Sequence, residues 1–200
     1  MQLYYSQTSP FARKVAMLLH FTGQIEQCDL VFSTFNDEAL REQNPLGKIP
    51  ALVNDALVLF ESDLICEYLD DLWCLDGNLS LIARGSQHYY LQQKAQAQAN
   101  GVIEAAVNAA LEKRRETEHS EHWLGRWETA IEQGIKTLNL EHCGTAEKPN
   151  MASFCLASAL GYLDFRHPHL DWRSWSEDLA QWHSKVEDCV WYHQTVPPAS

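Results

Sequence analysis

The sequence predicts an α/β domain followed by an all-helical domain, and three observations predict it. Strand and helix signals alternate through roughly the first 75 residues in the order β-α-β-α-β-β-α. Beyond the break "CLDGNLSLI", where Gly77 and Asn78 mark a linker, strand signals largely vanish. With 46% hydrophobic residues, the 200-residue chain can bury a substantial core, as one domain or as two small ones. The expected division is residues 1–76 and residues 84–200.

Each element has its own signal. "QLYY" reads as a strand. From Pro10, apolar residues at Phe11, Val15, Leu18 and Leu19 follow helical spacing, and Gly23 supplies a stop. "QCDLVF" is a second strand, and "NDEALREQ" a short helix that ends before Asn44-Pro45. "PALV" and "ALVLF" flank Asn54-Asp55 as a hairpin, and "SDLICEYLDDLW" is a helix with Ser62 as its N-cap. A parallel pairing follows for the first half and an antiparallel one for the last two strands. In the second half, the alanine-rich stretch "QHYYLQQKAQAQANGVIEAAVNAALEKRRE" predicts a long helix with local irregularity at Gly101. "HWLGRWETAIEQGIKTLNLEH" is the next helix, "NMASFCLASALGYLDF" an apolar buried one, and "SEDLAQWHSKVEDCVWYH" the last. Trp172, Trp175, Trp182 and Trp191 are expected to form core in that half.

Charge and cysteine usage exclude several functions. With 15 Lys and Arg against 27 Asp and Glu, the net charge of −12 argues against a nucleic-acid or anionic-membrane partner. No apolar run reaches the roughly 18 residues that span a bilayer. "MQLYYSQTS" has neither a basic nor an apolar leader region, so a cytoplasmic protein is the expectation. Six cysteines without a C-x-x-C pair read as buried free thiols, and no metal site is expected.

Three places combine special residues with helix starts. Ser9-Pro10 is good capping by itself, yet Arg13 and Lys14 lie in or near the first turn, where the helix dipole disfavours cations. A turn more positive than capping requires suits a docked anion. In "NPLGKIPAL", Ile49-Pro50 stands just before a strand; it is either an ordinary loop proline or, if cis, presents the backbone of Ile49 to an outside partner. In "LFESDLI", Ser62 caps a helix whose N–H groups can receive a carboxylate, and Glu61 can take an ammonium; capping beside a solvated acid is the plainer alternative.

Together these stretches suit a ligand with a thiol, a peptide-like middle and an α-amino acid end, which is glutathione. In "SPFARKV", "NPLGKIPALV" and "ESDLICEYLD" the chain resembles the cytosolic glutathione S-transferases over essentially its whole length. "TSPFARK" with "ALGYLDFR" is similar to the bacterial YibF-like subgroup. The resemblance implies a thioredoxin-like N-terminal domain, a helical-bundle C-terminal domain and a homodimer. It implies that Ser9 donates to the glutathione sulfur and that Ile49 pairs with the cysteinyl unit beside a cis Pro50. Glu61 and Ser62 would hold the γ-glutamyl group, and Lys48 the glycyl carboxylate. Phe11 counts with the glutathione-binding residues, and with Gln7 it would also line the site of a small apolar electrophile. Tyr5 rivals Ser9, because other classes of the family place a catalytic tyrosine there.

Two departures matter. Asn150-Met151-Ala152-Ser153 lacks the carboxylate that usually completes the capping box of a later helix. Serine rather than cysteine at position 9 removes mixed-disulfide chemistry and leaves thiolate stabilisation. A transferase is therefore expected, with glutathione as co-substrate. A non-enzymatic binding or regulatory protein and a glutathione-dependent peroxidase are the alternatives.

Overall fold

The computed structural model describes residues 1–198, and they form two compact units. The first gathers Met1–Arg84 together with the segment that starts at Cys189; the second is Gly85–Asp188. The polypeptide therefore returns to its first unit at its end, a feature that the composition shift near residue 80 does not signal.

The first unit holds a four-stranded sheet. β1 (Gln2–Tyr5) is followed by α1 (Pro10–Thr22), β2 (Asp29–Phe32) and α2 (Glu38–Gln43), then β3 (Ala51–Asn54), β4 (Leu57–Phe60) and α3 (Ser62–Leu75). The strand order is β2-β1-β3-β4, with β1 and β2 parallel and the other two pairings antiparallel. This is a thioredoxin-like arrangement. The parallel pair needs a crossover, and α1 supplies it; Gly23 at φ 75° ends that helix because a left-handed residue costs glycine nothing. The hairpin turns at Asp55, φ 53°.

Side chains alternate across the sheet. Tyr4 and Ala51 face Leu40 of α2 in one buried cluster, with Ile49 packed against its edge. Leu3 and Leu52, register partners and fully buried, take the opposite face. α3 packs against α1 and against β3 and β4.

The segment after α3 is tied down. Asp70, fully buried, accepts from Ser80 Oγ (2.6 Å), from Leu81 N (2.7 Å) and from Arg84 (3.2 Å). Arg84 also reaches Asp71 and Glu67, both at 2.8 Å. The glycine–asparagine break is a clamped turn rather than a loose linker.

The second unit is helical: α4 (Tyr89–Lys113), α5 (Glu121–Lys136), α6 (Met151–Arg166) and α7 (Glu177–Glu187). α4 packs on both α5 and α6. Its buried alanines, Ala95, Ala99, Ala106 and Ala109, let its neighbours approach. α6 is buried along Met151–Leu163, which explains its apolar character on all sides. His167, at the end of α6, is fully buried and donates from Nε2 to the Ala106 carbonyl at 2.8 Å; burial lowers its pKa from 6.5.

Four sequence expectations are corrected here. α4 runs unbroken through Gly101, which is exposed, so its missing side chain leaves no gap in packing. The capping box of α6 is complete: Ser153 N donates to Asn150 Oδ1 (3.1 Å) and Asn150 N donates to Ser153 Oγ (2.9 Å). A serine hydroxyl does the work of the absent carboxylate. The last helix is two, because α7 stops at Glu187 and the short α8 (Val190–His193) belongs to the first unit. The tryptophans part accordingly. Trp172 and Trp182 donate within the second unit, to Asp164 Oδ1 and to the Gly144 carbonyl at 2.8 Å each, while Trp191 is buried in the first.

Candidate active site

The register of the sheet decides where the candidate residues lie. Tyr4, Ala51 and Phe60 stand side by side across β1, β3 and β4. Tyr5 and the turn to Ser9 continue from the first, Pro50 and Ile49 precede the second, and Glu61 and Ser62 follow the third. Because β3 runs antiparallel to its neighbours, all three segments leave the sheet at the same end. Residues far apart in sequence are thereby brought to one edge of the first unit.

Ser9 is the N-cap of α1. Its Oγ accepts from Ala12 N at 3.3 Å, and Pro10 occupies the first helical position. The hydroxyl proton remains available for donation, and among the described residues no acceptor takes it. Ser9 and Phe11 are both half-buried. Tyr5, also half-buried, closes β1, where its carbonyl accepts from Ser33 N at 2.8 Å.

The loop before β3 is organised by Asn44, which is buried. Its side chain donates to the Lys48 carbonyl (2.7 Å) and accepts from Leu46 N (3.0 Å), and its own carbonyl accepts from Gly47 N (2.8 Å). Gly47 sits at φ 60°, the conformation this tight return needs. The Ile49-Pro50 bond is cis. With its side chain packed into the Tyr4–Leu40–Ala51 cluster, Ile49 keeps a fixed backbone. Among the described residues no hydrogen bond engages its N–H or C=O. Lys48 is exposed, and no ion pair among the described residues involves it.

At α3 the structure corrects the sequence reading. Glu61, not Ser62, is the N-cap: Ile65 N donates to the Glu61 carbonyl at 3.0 Å, and Ser62 is the first helical residue. Glu61 lies at φ 79°, ψ 114°, in a region that L side chains rarely adopt, and it makes no capping bond. Ser62 is buried, and its hydroxyl donates to Glu61 Oε1 at a long 3.4 Å. The helix start is strained and uncapped, with N–H groups that no side chain satisfies from the cap position.

The first-turn cations of α1 are also reread. Arg13 and Lys14 are buried rather than turned toward a docked anion. Arg13 lies over the Tyr192 ring at 4.3 Å and donates to Thr195 Oγ1 at 3.4 Å, so it anchors the returning C-terminal segment. Lys14 is paired with Asp63. Nothing in the sequence places Tyr192 beside α1, and only the packing reveals why both cations are there. Asn44 had a detectable signal in its Asn-Pro dipeptide, which marks turns.

All six cysteines are free. Burial pushes the Cys28 thiol to about 11 and the Cys143 thiol to about 12, away from thiolate chemistry. Among the described residues, the side chains that come together as metal ligands do are Asp164, His183 and Glu187. There the Arg173 guanidinium already takes both Asp164 oxygens, at 2.6 and 2.9 Å, and lies 3.8 Å from Glu187. A resident cation on these carboxylates opposes a second one.

A thioredoxin-like sheet with a cis-prolyl entrance to β3 and three candidate segments at one end is what a glutathione-transferase type of protein requires. Sequence and structure comparisons agree. Residues 3–73 match the family model for the glutathione S-transferase N-terminal domain. A crystal structure of a glutathione transferase family member from Pseudomonas fluorescens Pf-5, with bound glutathione, is 35% identical, with a TM-score of 0.91 over 99% of both chains. A second crystal structure of the same Pseudomonas protein, with bound S-(propanoic acid)-glutathione, is 34% identical, with a TM-score of 0.87 over 100% of both chains. The uncharacterized GST-like protein YibF of Escherichia coli K12 is 28% identical over 183 residues, 86% of each chain. The chain belongs to the glutathione S-transferase family.

Proposed function

We propose that the protein is a glutathione transferase that stabilises the glutathione thiolate at Ser9 for attack on a small apolar electrophile. The observation that carries this reading is the convergence of Ser9, Ile49-Pro50 and Glu61-Ser62 at one end of the sheet. Glu61 and Ser62 receive the γ-glutamyl group, with the open N–H groups of α3 facing its carboxylate. The unengaged backbone of Ile49 pairs with the cysteinyl unit, and Lys48 meets the glycyl carboxylate. Phe11 flanks the electrophile.

At the sulfur, Ser9 donates its free proton in a hydrogen bond to the thiolate while the thiol proton passes to solvent. The sulfur lone pair then forms the S–C bond with the electrophile, and the electrons of the bond that breaks leave on the departing group. The binding of glutathione and of S-(propanoic acid)-glutathione by the Pseudomonas relative supports this placement of the ligand. The working form is a cytoplasmic homodimer; light scattering that gives only the 22.9 kDa of one chain would remove the dimer.

A free thiol, pKa about 8.5, is mostly protonated at neutral pH. A charge-assisted hydrogen bond contributes about 1.5–3 kcal/mol, roughly one to two pKa units. Ser9→Ala is expected to lower conjugation at pH 7 by about 10- to 100-fold with glutathione affinity little changed, and Tyr5→Phe to do far less. Ultraviolet titration of the bound thiolate separates the two. A titration unmoved by Ser9→Ala but raised by Tyr5→Phe would assign activation to the tyrosine and leave Ser9 as a cap. A bound thiol that titrates as free glutathione does would identify a binding protein instead.

A further inference from the structure

Lys14 is only 1% exposed, yet its ammonium lies 2.5 Å from Asp63 Oδ1. The pair joins two helix starts. Lys14 is five residues along from the Ser9 cap, and Asp63 directly follows Ser62. Burying an ammonium is costly, and an apolar side chain of similar volume at such a position is often neutral or stabilising. The Asp63 side chain keeps 39% of its surface in solvent, so water already hydrates one side of the carboxylate. Stability therefore gives no reason for a lysine where a methionine would fill the same space. What the charge adds is direction: α1–α3 packing brings the helices together, and the ion pair fixes how the first turn of α3 sits along α1.

We propose that the Lys14–Asp63 ion pair is a positioning link that sets the separation between Ser9 and Glu61-Ser62. It thereby fixes the span over which one tripeptide is held at both ends. The inference rests on the glutathione reading above. A ligand anchored at its γ-glutamyl end meets the sulfur site at a high effective concentration only if the two ends of the site keep the ligand's own length. Loosening the spacing leaves the ligand bound at its γ-glutamyl end but takes its sulfur out of reach of the Ser9 hydroxyl.

The test follows the full chain by glutathione affinity, ultraviolet titration of the bound thiol and thermal melting. Lys14→Met is expected to raise the titration midpoint of the bound thiol toward that of free glutathione and to lower conjugation at pH 7 by about tenfold, while glutathione affinity changes little and the melting temperature holds or rises. Lys14→Arg, which keeps the charge, should restore most of the loss. If Lys14→Met does not fold, Lys14→Gln, with similar length and a donor, carries the same comparison. A titration unmoved in the folded variant, or a loss of glutathione affinity that accompanies the shift, overturns the positioning role and leaves the transferase reading standing. A wild-type chain that does not bind glutathione, or whose bound thiol titrates as free glutathione does, removes the transferase reading itself, and this inference with it.

Discussion

The starts of α3 and α6 differ in nearly every respect that governs a helix N-terminus. At α6, Asn150 and Ser153 satisfy each other's backbone N–H groups reciprocally, and Asn150 Nδ2 adds a bond to the His142 carbonyl at 3.0 Å. The approach is shaped to match. Gly144 lies so close to the following turn that a Cβ would fall 2.7 Å from Asn150 N. At α3, the cap residue Glu61 is strained, makes no capping bond and is exposed, and the serine that ought to cap is one residue inside the helix. Under the proposed function, the open donors and the strained cap of α3 are kept for the γ-glutamyl group of glutathione, whereas the closed donors of α6 serve the fold alone.

The largest separation should come from a pair of alanine substitutions. Ser62→Ala is expected to weaken glutathione by about tenfold or more, the worth of a hydrogen bond to a charged group, with little loss of stability because Ser62 is not the cap. Asn150→Ala should do the reverse, costing about 1 kcal/mol of stability and leaving affinity alone. Denaturant melts and calorimetric titrations of both variants check this. If Ser62→Ala melts early but binds normally, the contrast between the two helix starts fails. A smaller effect isolates the strain. Glu61→Gly removes the side chain that conflicts with φ 79°, so it should raise stability by about 1 kcal/mol while weakening glutathione. A melting temperature below that of the parent chain would show that the backbone of Glu61 carries no strain to release.

The α/β order and the all-helical second half were legible in the sequence because each rests on local chemistry, and the family was legible in its resemblance to three short motifs. Alternation and periodicity mark strands and helices, and Pro10, Gly23 and Asn54-Asp55 punctuate them within a few residues of where they act. Tertiary structure alone decided the rest. Glutamate carries no signal for positive φ, so the displaced cap at Glu61 could not be read. Arg13 and Lys14 looked like an anion site because their partners, Tyr192, Thr195 and Asp63, are distant along the chain and near only in space. The return of the last helix to the first unit has the same origin. A sequence reports what a segment prefers with its neighbours, whereas burial and long-range pairing depend on contacts that exist only once the chain has folded.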